Sequence, residues 1–343
     1  VNSTPVTTTE LPSRTRVRLR HEVLRLDDGH RVGISIGGRG VPLVFLHGYG
    51  LNARAYLRLL SRLGGLGFTV IALDAAGHGG TPTLPAEATL EGRVDLTLRA
   101  LDALGIGKAV FLGHSMGGRM IVDLGARAPE RVLAAVLLNA AAGAPFDESI
   151  SPGRRSPRAL AERLLAVAVD AQGDPRRLPI NELAGYMRLM AGALARNARA
   201  PLGLTGSLRA LLGSGDFTTK LAAMRDNDVA TIVVHGEKDR VVPFENAVDM
   251  AERADAALYR VPGAHHSWML AHPRQAADMM RQLLDADLGR VLAHRSTPQL
   301  AADELDPVEL ELLRSPAPRR RPPRRRFAFR WPTRRRSPMA LTG

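Results

Sequence analysis

Residues 109–127 read AVFLGHSMGGRMIVDLGAR. The first six form a short, continuous apolar run of strand length, and residues 116–127 carry a helical pattern. Between them stands Gly113-His114-Ser115-Met116-Gly117, a G-x-S-x-G whose serine falls at a strand-to-helix turn. In that context the pattern reads as a nucleophile elbow. The tight turn forces the serine into a strained backbone conformation and lifts its hydroxyl clear of the sheet. Gly113 and Gly117 supply the room, Gly118 adds more, and the helix N-terminus beneath favours developing negative charge.

Working outward, apolar runs of the same kind recur at 41–47, 68–74, 133–139, 231–235 and 257–261. Runs without alternation are the mark of strands buried on both faces, hence of a parallel sheet. Helical patterns at 53–63, 90–104, 245–254 and 273–288 alternate with them, which predicts an α/β, doubly wound, mostly parallel sheet flanked by helices. Residues 17–36 alternate instead and predict two strands turning at Asp28-Gly29.

Two stretches leave this rhythm. About ninety residues separate Asn139 from Thr231, with helical segments near 157–169, 182–197 and 208–212. Structureless loops of that length are rare in compact domains, so a helical cap inserted at 141–228 is expected. The expected organisation is therefore a disordered leader at 1–16, a core at 17–140 and 229–289 split by the cap, an acidic linker or helix at 290–313, and a disordered Arg/Pro-rich tail at 314–343.

The chain has 343 residues and a formal net charge of +13, which by itself suggests a polyanionic partner. Its distribution argues otherwise. Residues 314–343 hold eleven Arg and no Asp or Glu, so the rest of the chain is nearly neutral. A solvated extension and attachment to an anionic membrane surface, helped by Phe327, Phe329 and Trp331, are the two readings the tail supports. Nucleic acid is the weakest, because no folded recognition module accompanies the charge. With no cysteine, disulfides, thiol nucleophiles and Cys-ligated metals are excluded. A reducing, cytoplasmic location fits, with peripheral membrane association the alternative. No apolar run reaches the ~20 residues of a spanning helix, and no metal-ligand spacing appears on a predicted helix.

A nucleophilic serine needs a base, and the base an orienting acid. Asp239 follows the run at 231–235, in Gly236-Glu237-Lys238-Asp239-Arg240-Val241-Val242-Pro243, with Glu237 as a rival acid. His266 follows the last run, in Gly263-Ala264-His265-His266-Ser267-Trp268, with His265 as a rival base. The order Ser115, Asp239, His266, each beyond the carboxyl end of a predicted strand, is that of a triad on an open α/β sheet.

These segments, with His47-Gly48-Tyr49-Gly50 and Asp74-Ala75-Ala76-Gly77-His78-Gly79, resemble the α/β-hydrolase superfamily in its cap-bearing, esterase- and lipase-like branch, over about residues 17–288. The resemblance implies backbone N–H groups of Tyr49 and Met116 as an oxyanion hole, with Gly48 and Gly50 shaping the loop. It favours His266 over His265, although His265 stands where the family often has Gly. It implies no cofactor. A serine at 115 departs from the aspartate of the dehalogenase and epoxide hydrolase branches. Gly50-Leu51-Asn52 departs from the Gly-Pro-Gly usual in carbon–carbon bond hydrolases.

The function expected is hydrolysis of a small, hydrophobic carboxylic ester. The alternatives are carbon–carbon hydrolysis or perhydrolysis on the same triad, and a non-enzymatic scaffold with a basic tail. His47, His78 and His114 are expected to pack and hydrogen-bond loops.

Overall fold

The computed structural model describes residues 4–5, 16–85, 88–151, 170, 173–197 and 201–295. The helical segment expected near 157–169, the acidic stretch at 303–313 and the tail at 314–343 lie outside the described residues. Among the described residues, nine strands form one sheet: β1 (Thr4–Pro5), β2 (Arg20–Arg25), β3 (Arg31–Gly38), β4 (Val41–Leu46), β5 (Phe68–Leu73), β6 (Ala109–His114), β7 (Val132–Leu138), β8 (Thr231–Gly236) and β9 (Ala257–Val261). Their order is β1-β9-β8-β7-β6-β4-β5-β3-β2. Among the described residues, β3 runs against both its neighbours and every other pair is parallel. The sheet is thus the mostly parallel one the apolar runs predict.

The helices are α1 (Leu57–Gly64), α2 (Leu90–Ala103), α3 (Met116–Arg127), α4 (Ala144–Ile150), α5 (Ile180–Asn197), α6 (Pro201–Leu212), α7 (Thr218–Asp226), α8 (Phe244–Arg253), α9 (Trp268–Ala271), α10 (Pro273–Asp285) and α11 (Asp287–Arg295). Side chains alternate across a strand, so each buried run feeds two cores. Val44 and Leu46 join Phe111, Leu137 and Val233 in one, which α2, α3, α7 and α8 cover. Leu43 and Phe45 join Leu112, Val136 and Val234 in the other, which α1, α9 and α10 cover.

Local differences from the sequence reading have physical causes. The β2–β3 turn closes with Leu26 N–H donating to His30 O (2.9 Å) and Gly29 at φ +80°, which glycine tolerates. Thr4–Pro5, within the expected leader, pairs with Tyr259–Arg260 because β9 otherwise offers an open edge. The helix expected at 273–288 breaks at Ala286, and α11 then packs so closely that a Cβ on Gly289 would lie 1.8 Å from Leu284 O. α7, inside the stretch expected as cap, instead buries Leu221 and Met224 against the sheet-side core. Their i, i+3 spacing faces α3, where Gly125 leaves room for Met224.

One side chain fastens the insertion between β7 and β8 to the sheet. Arg119 of α3 is fully buried, its Nη1 2.6 Å from Asp147 Oδ1 in α4. It also donates to Ala141 O, Ser214 Oγ and Gly215 O, and lies 3.5 Å from the Phe217 ring centroid. Removing one partner of a buried ion pair strands the other charge. Arg119→Ala is therefore expected to lower stability by about 3–5 kcal/mol, measured by urea unfolding. A change below about 1 kcal/mol would show that water reaches Asp147 without cost.

Candidate active site

The strand-to-helix turn at residue 115 is as tight as the glycine pattern demands. Ser115 has φ 55° and ψ −116°, outside the regions L-residues ordinarily occupy. Its N–H donates to Leu138 O (3.1 Å) and its carbonyl accepts from Ala141 N–H (3.0 Å), so the turn is tied to the end of β7. A Cβ on Gly117 would lie 2.1 Å from Leu46 O, and one on Gly113 would lie 2.6 Å from the Gly117 carbonyl carbon. Met116 is the first residue of α3, and N–H groups of a first helical turn have no intrahelical acceptor.

Asp239 and His266 meet at the neighbouring strand ends. His266 Nδ1 lies 2.8 Å from Asp239 Oδ2. The other oxygen, Oδ1, accepts from the N–H groups of Val241 (2.9 Å) and Val242 (2.8 Å). His235 donates through Nε2 to Val242 O (2.7 Å) and stands 3.3 Å from Asp239 Oδ2. Burial alone would raise the Asp239 carboxyl; His266 and His235 outweigh it and hold the carboxyl well below the usual carboxylate range. Burial likewise opposes the charged form of His266, but Asp239 outweighs it and the imidazole is raised above its ordinary value.

The rivals are separated in space. His265 turns to Asp174, whose Oδ1 is 3.2 Å from its Nδ1, and not to Asp239. Glu237 faces outward, accepting from Arg260 and Gly263 N–H.

Gly48 brings the 47–50 loop against the turn. A Cβ there would lie 2.7 Å from His114 Nδ1 and 3.3 Å from Ser115 Cβ. Gly50 has φ +73° and donates its N–H to His78 Nε2 (3.2 Å). Tyr49, between them, is half-buried with its ring edge-on to His78, and burial raises its hydroxyl.

Three histidines hold these loops as neutral groups. Ala75 N–H donates to His47 Nε2, so Nδ1 carries the proton and donates to Gly48 O. His78, accepting from Gly50, donates through Nδ1 to Ala76 O. His114 Nε2 donates to His266 O (2.9 Å), so its Nδ1 accepts from the Tyr56 hydroxyl (2.7 Å). Burial pushes His47 down to about 4, and His78 and His114 down to about 3.

Several polar residues at the site were not legible in the sequence. Asn139, at φ 44°, donates from Nδ2 to Asp239 Oδ2 (2.7 Å) and accepts from Trp268 Nε1–H (3.0 Å). Its only signal was that it interrupts an apolar run. Asp74, already singled out within the Asp74–Gly79 motif, accepts from Ala53 and Gly80 N–H groups and shapes the loop after β5. From the insertion, Asn197 donates to Gly50 O (2.7 Å) and accepts from Gly79 N–H (3.0 Å). Asp170 accepts from His266 N–H (2.8 Å). Among the described residues, no group of three or more His, Asp or Glu is arranged to hold a metal.

The profile of the Alpha/beta hydrolase family matches residues 43–279. The chain belongs to that family. It is 43% identical over 264 residues, 76% of this chain and 94% of the relative, to a protein named "Putative non-heme haloperoxidase" of Mycobacterium phage D29. It is 32% identical over 246 residues, 66% of this chain and 81% of the relative, to a "Monoacylglycerol lipase" of Mycolicibacterium smegmatis. A solved hydrolase of Pseudomonas aeruginosa PA01 superposes with a TM-score of 0.59 at 25% identity, covering 78% of this chain and 99% of that one. The family's members are enzymes, and a small-molecule substrate is consistent with it.

The elbow gives a direct test of packing. Gly117→Ala gains up to about 1 kcal/mol of helix propensity, yet its Cβ would meet a backbone carbonyl that cannot rotate away. Overpacking wins, so the variant is expected to lose about 1–3 kcal/mol in thermal or urea unfolding. Equal or higher stability would mean that α3 shifts freely against β4.

Proposed function

We propose that this chain is a serine hydrolase that cleaves a carboxylic ester through an acyl-enzyme, with Ser115 as nucleophile, His266 as general base and Asp239 as orienting acid. The observation that carries this reading is the strained Ser115 turn beside a His266–Asp239 hydrogen bond of 2.8 Å. Asp239 accepts the proton-bearing Nδ1, which leaves Nε2 of His266 free to take a proton. Ser115 Oγ attacks the ester carbonyl as His266 removes its proton. The N–H groups of Tyr49 and Met116 stabilise the oxyanion as it forms. His266 then protonates the alkoxide leaving group, and water releases the acid by the same steps.

Asp239 stabilises the imidazolium between them, with Val241, Val242 and Asn139 holding its oxygens. Ester substrates are supported by relatives named "Monoacylglycerol lipase" and "Pimeloyl-[acyl-carrier protein] methyl ester esterase", the latter 30% identical over 262 residues. The insertion between β7 and β8 serves as the cap, and Asn197 at its α5 end sets the 50–51 backbone beside the oxyanion donors. An apolar substrate suits α5, whose inner side packs Tyr186 and Met190 toward the core.

A second reading rests on the 43% identical relative named for haloperoxidase activity. On the same acyl-enzyme, hydrogen peroxide in place of water yields a peracid, which oxidises bromide.

Ser115→Ala is expected to lower kcat on p-nitrophenyl esters by about 10⁴-fold or more. Wild-type-level activity in a pure preparation would refute the triad. His266 must be neutral to accept a proton, and its protonation lies above the ordinary value near 6.5. The acidic limb of kcat/KM is therefore expected above pH 6.5, with activity falling as pH decreases through it; a limb well below that value would remove His266 as the titrating base. Bromide oxidation in acetate and hydrogen peroxide, lost in Ser115→Ala, would establish the second reading. Ester hydrolysis without such oxidation would reject it.

A further inference from the structure

His266 is held at more atoms than a triad requires. Asp239 takes its Nδ1, and His114 donates to its carbonyl oxygen. Its own backbone N–H donates to Asp170 Oδ2 (2.8 Å). Asp170 comes from the insertion, ninety-six positions away in the chain. It is 3% exposed, and its second oxygen accepts Arg240 N–H (3.0 Å) in the loop that carries Asp239. Two oxygens each accepting an amide N–H is the arrangement an ionised carboxylate makes. Four residues on, Asp174 accepts His265 N–H. The insertion thus meets consecutive amides of the 265–266 segment with two carboxylates.

We propose that Asp170 is a positioning residue for His266: it fixes the backbone of the base, joins it to the Asp239 loop, and sets a second buried negative charge beside the imidazole. The inference rests on the triad proposed above.

A structural tie alone would make Asp170 replaceable by any residue that keeps the loop folded. A charge beside the base does more, because it favours the imidazolium formed when Ser115 is deprotonated. Among the described residues, four titratable groups face or flank the His266 ring and its backbone: Asp239 and His235 from β8 and the loop after it, His114 from the elbow, and Asp170. His114 is pushed down by burial and stays neutral. His266 and His235 outweigh burial at Asp239 and hold its carboxyl well below the usual carboxylate range. Burial raises the Asp170 carboxyl, and Asp239 adds to that; the N–H groups of Arg240 and His266 oppose it. Replacing Asp170 by a neutral residue removes a charge that raises the imidazole, so the base titrates at lower pH.

The test is the pH profile of kcat/KM on a p-nitrophenyl ester, measured for the full chain as wild type, Asp170→Asn and Asp170→Ser. Thermal unfolding and labelling of Ser115 by a fluorophosphonate are read in parallel. Both variants are expected to move the acidic limb down by about half a pH unit or more, with kcat/KM at the optimum reduced about ten-fold. Asp174→Asn, which loosens His265 and leaves His266 in place, is expected not to move the limb. Either Asp170 variant suffices if the other does not fold.

An unmoved limb in a folded, fluorophosphonate-labelled variant would overturn the inference while leaving the triad standing. An equal shift in Asp174→Asn would also overturn it, since the effect would then belong to the insertion as a whole. If Ser115→Ala matches wild type, the triad itself fails, and this inference with it.

Discussion

At Gly117, α3 runs against the backbone of β4, with no space for even one carbon between the helix and Leu46 O. That approach forces the turn before it to close in a single residue, and Ser115 accepts φ 55° as the cost. Once the turn is closed, its carbonyl meets Ala141 and its N–H meets Leu138, which sets where β7 ends. The same closeness brings Gly48, at the end of β4, against Ser115 Cβ. The serine and the loop on which the proposed oxyanion site depends are therefore placed by one backbone contact. Neither comes from a separately built pocket.

The polar groups around this turn sort by their partners. His47, His78 and His114 are as buried as His266, but each bonds to backbone or hydroxyl groups and stays neutral. His266 alone among these four has a carboxylate on Nδ1, and it is raised where the others are pushed down. Residue type is the same in all four cases. The difference is the partner, whose charge outweighs desolvation only when it lies at hydrogen-bond distance.

The relatives' names span peroxidase, lipase and esterase, although the fold is shared. Acyl transfer depends on the strand ends, whereas substrate choice depends on what covers them. Here the segment between β7 and β8 is fastened at several points: by Asp147 to Arg119, by Asn197 to the 50–51 loop, and by Asp170 to His266. A segment so attached to both the 50–51 loop and His266 cannot vary at those contacts without releasing the backbone they hold.

The sheet and the elbow were readable in the chain because both are written locally. Strands buried on two faces show as unbroken apolar runs, and a one-residue turn into a helix shows as glycines at fixed spacing. The order of Ser115, Asp239 and His266 followed from strand ends that such runs mark. Adjacent His265 and His266 were not separable in that way, because they share the same local surroundings in the chain. Only the folded structure turns one toward Asp239 and the other toward Asp174. Asp170 and Asn197 carried no pattern at all, and Asn139 showed only as a break in an apolar run. Residues 218–226, where no helix was expected, fell within the bounds of the expected cap because the break in the strand–helix rhythm marks where an insertion lies and not which surface each part of it will meet. The sequence by itself determined the periodicities and turns, since these depend on neighbours a few residues away. The tertiary structure decided which buried polar groups pair, since a hydrogen bond across a hundred residues depends on where separate strands end in space.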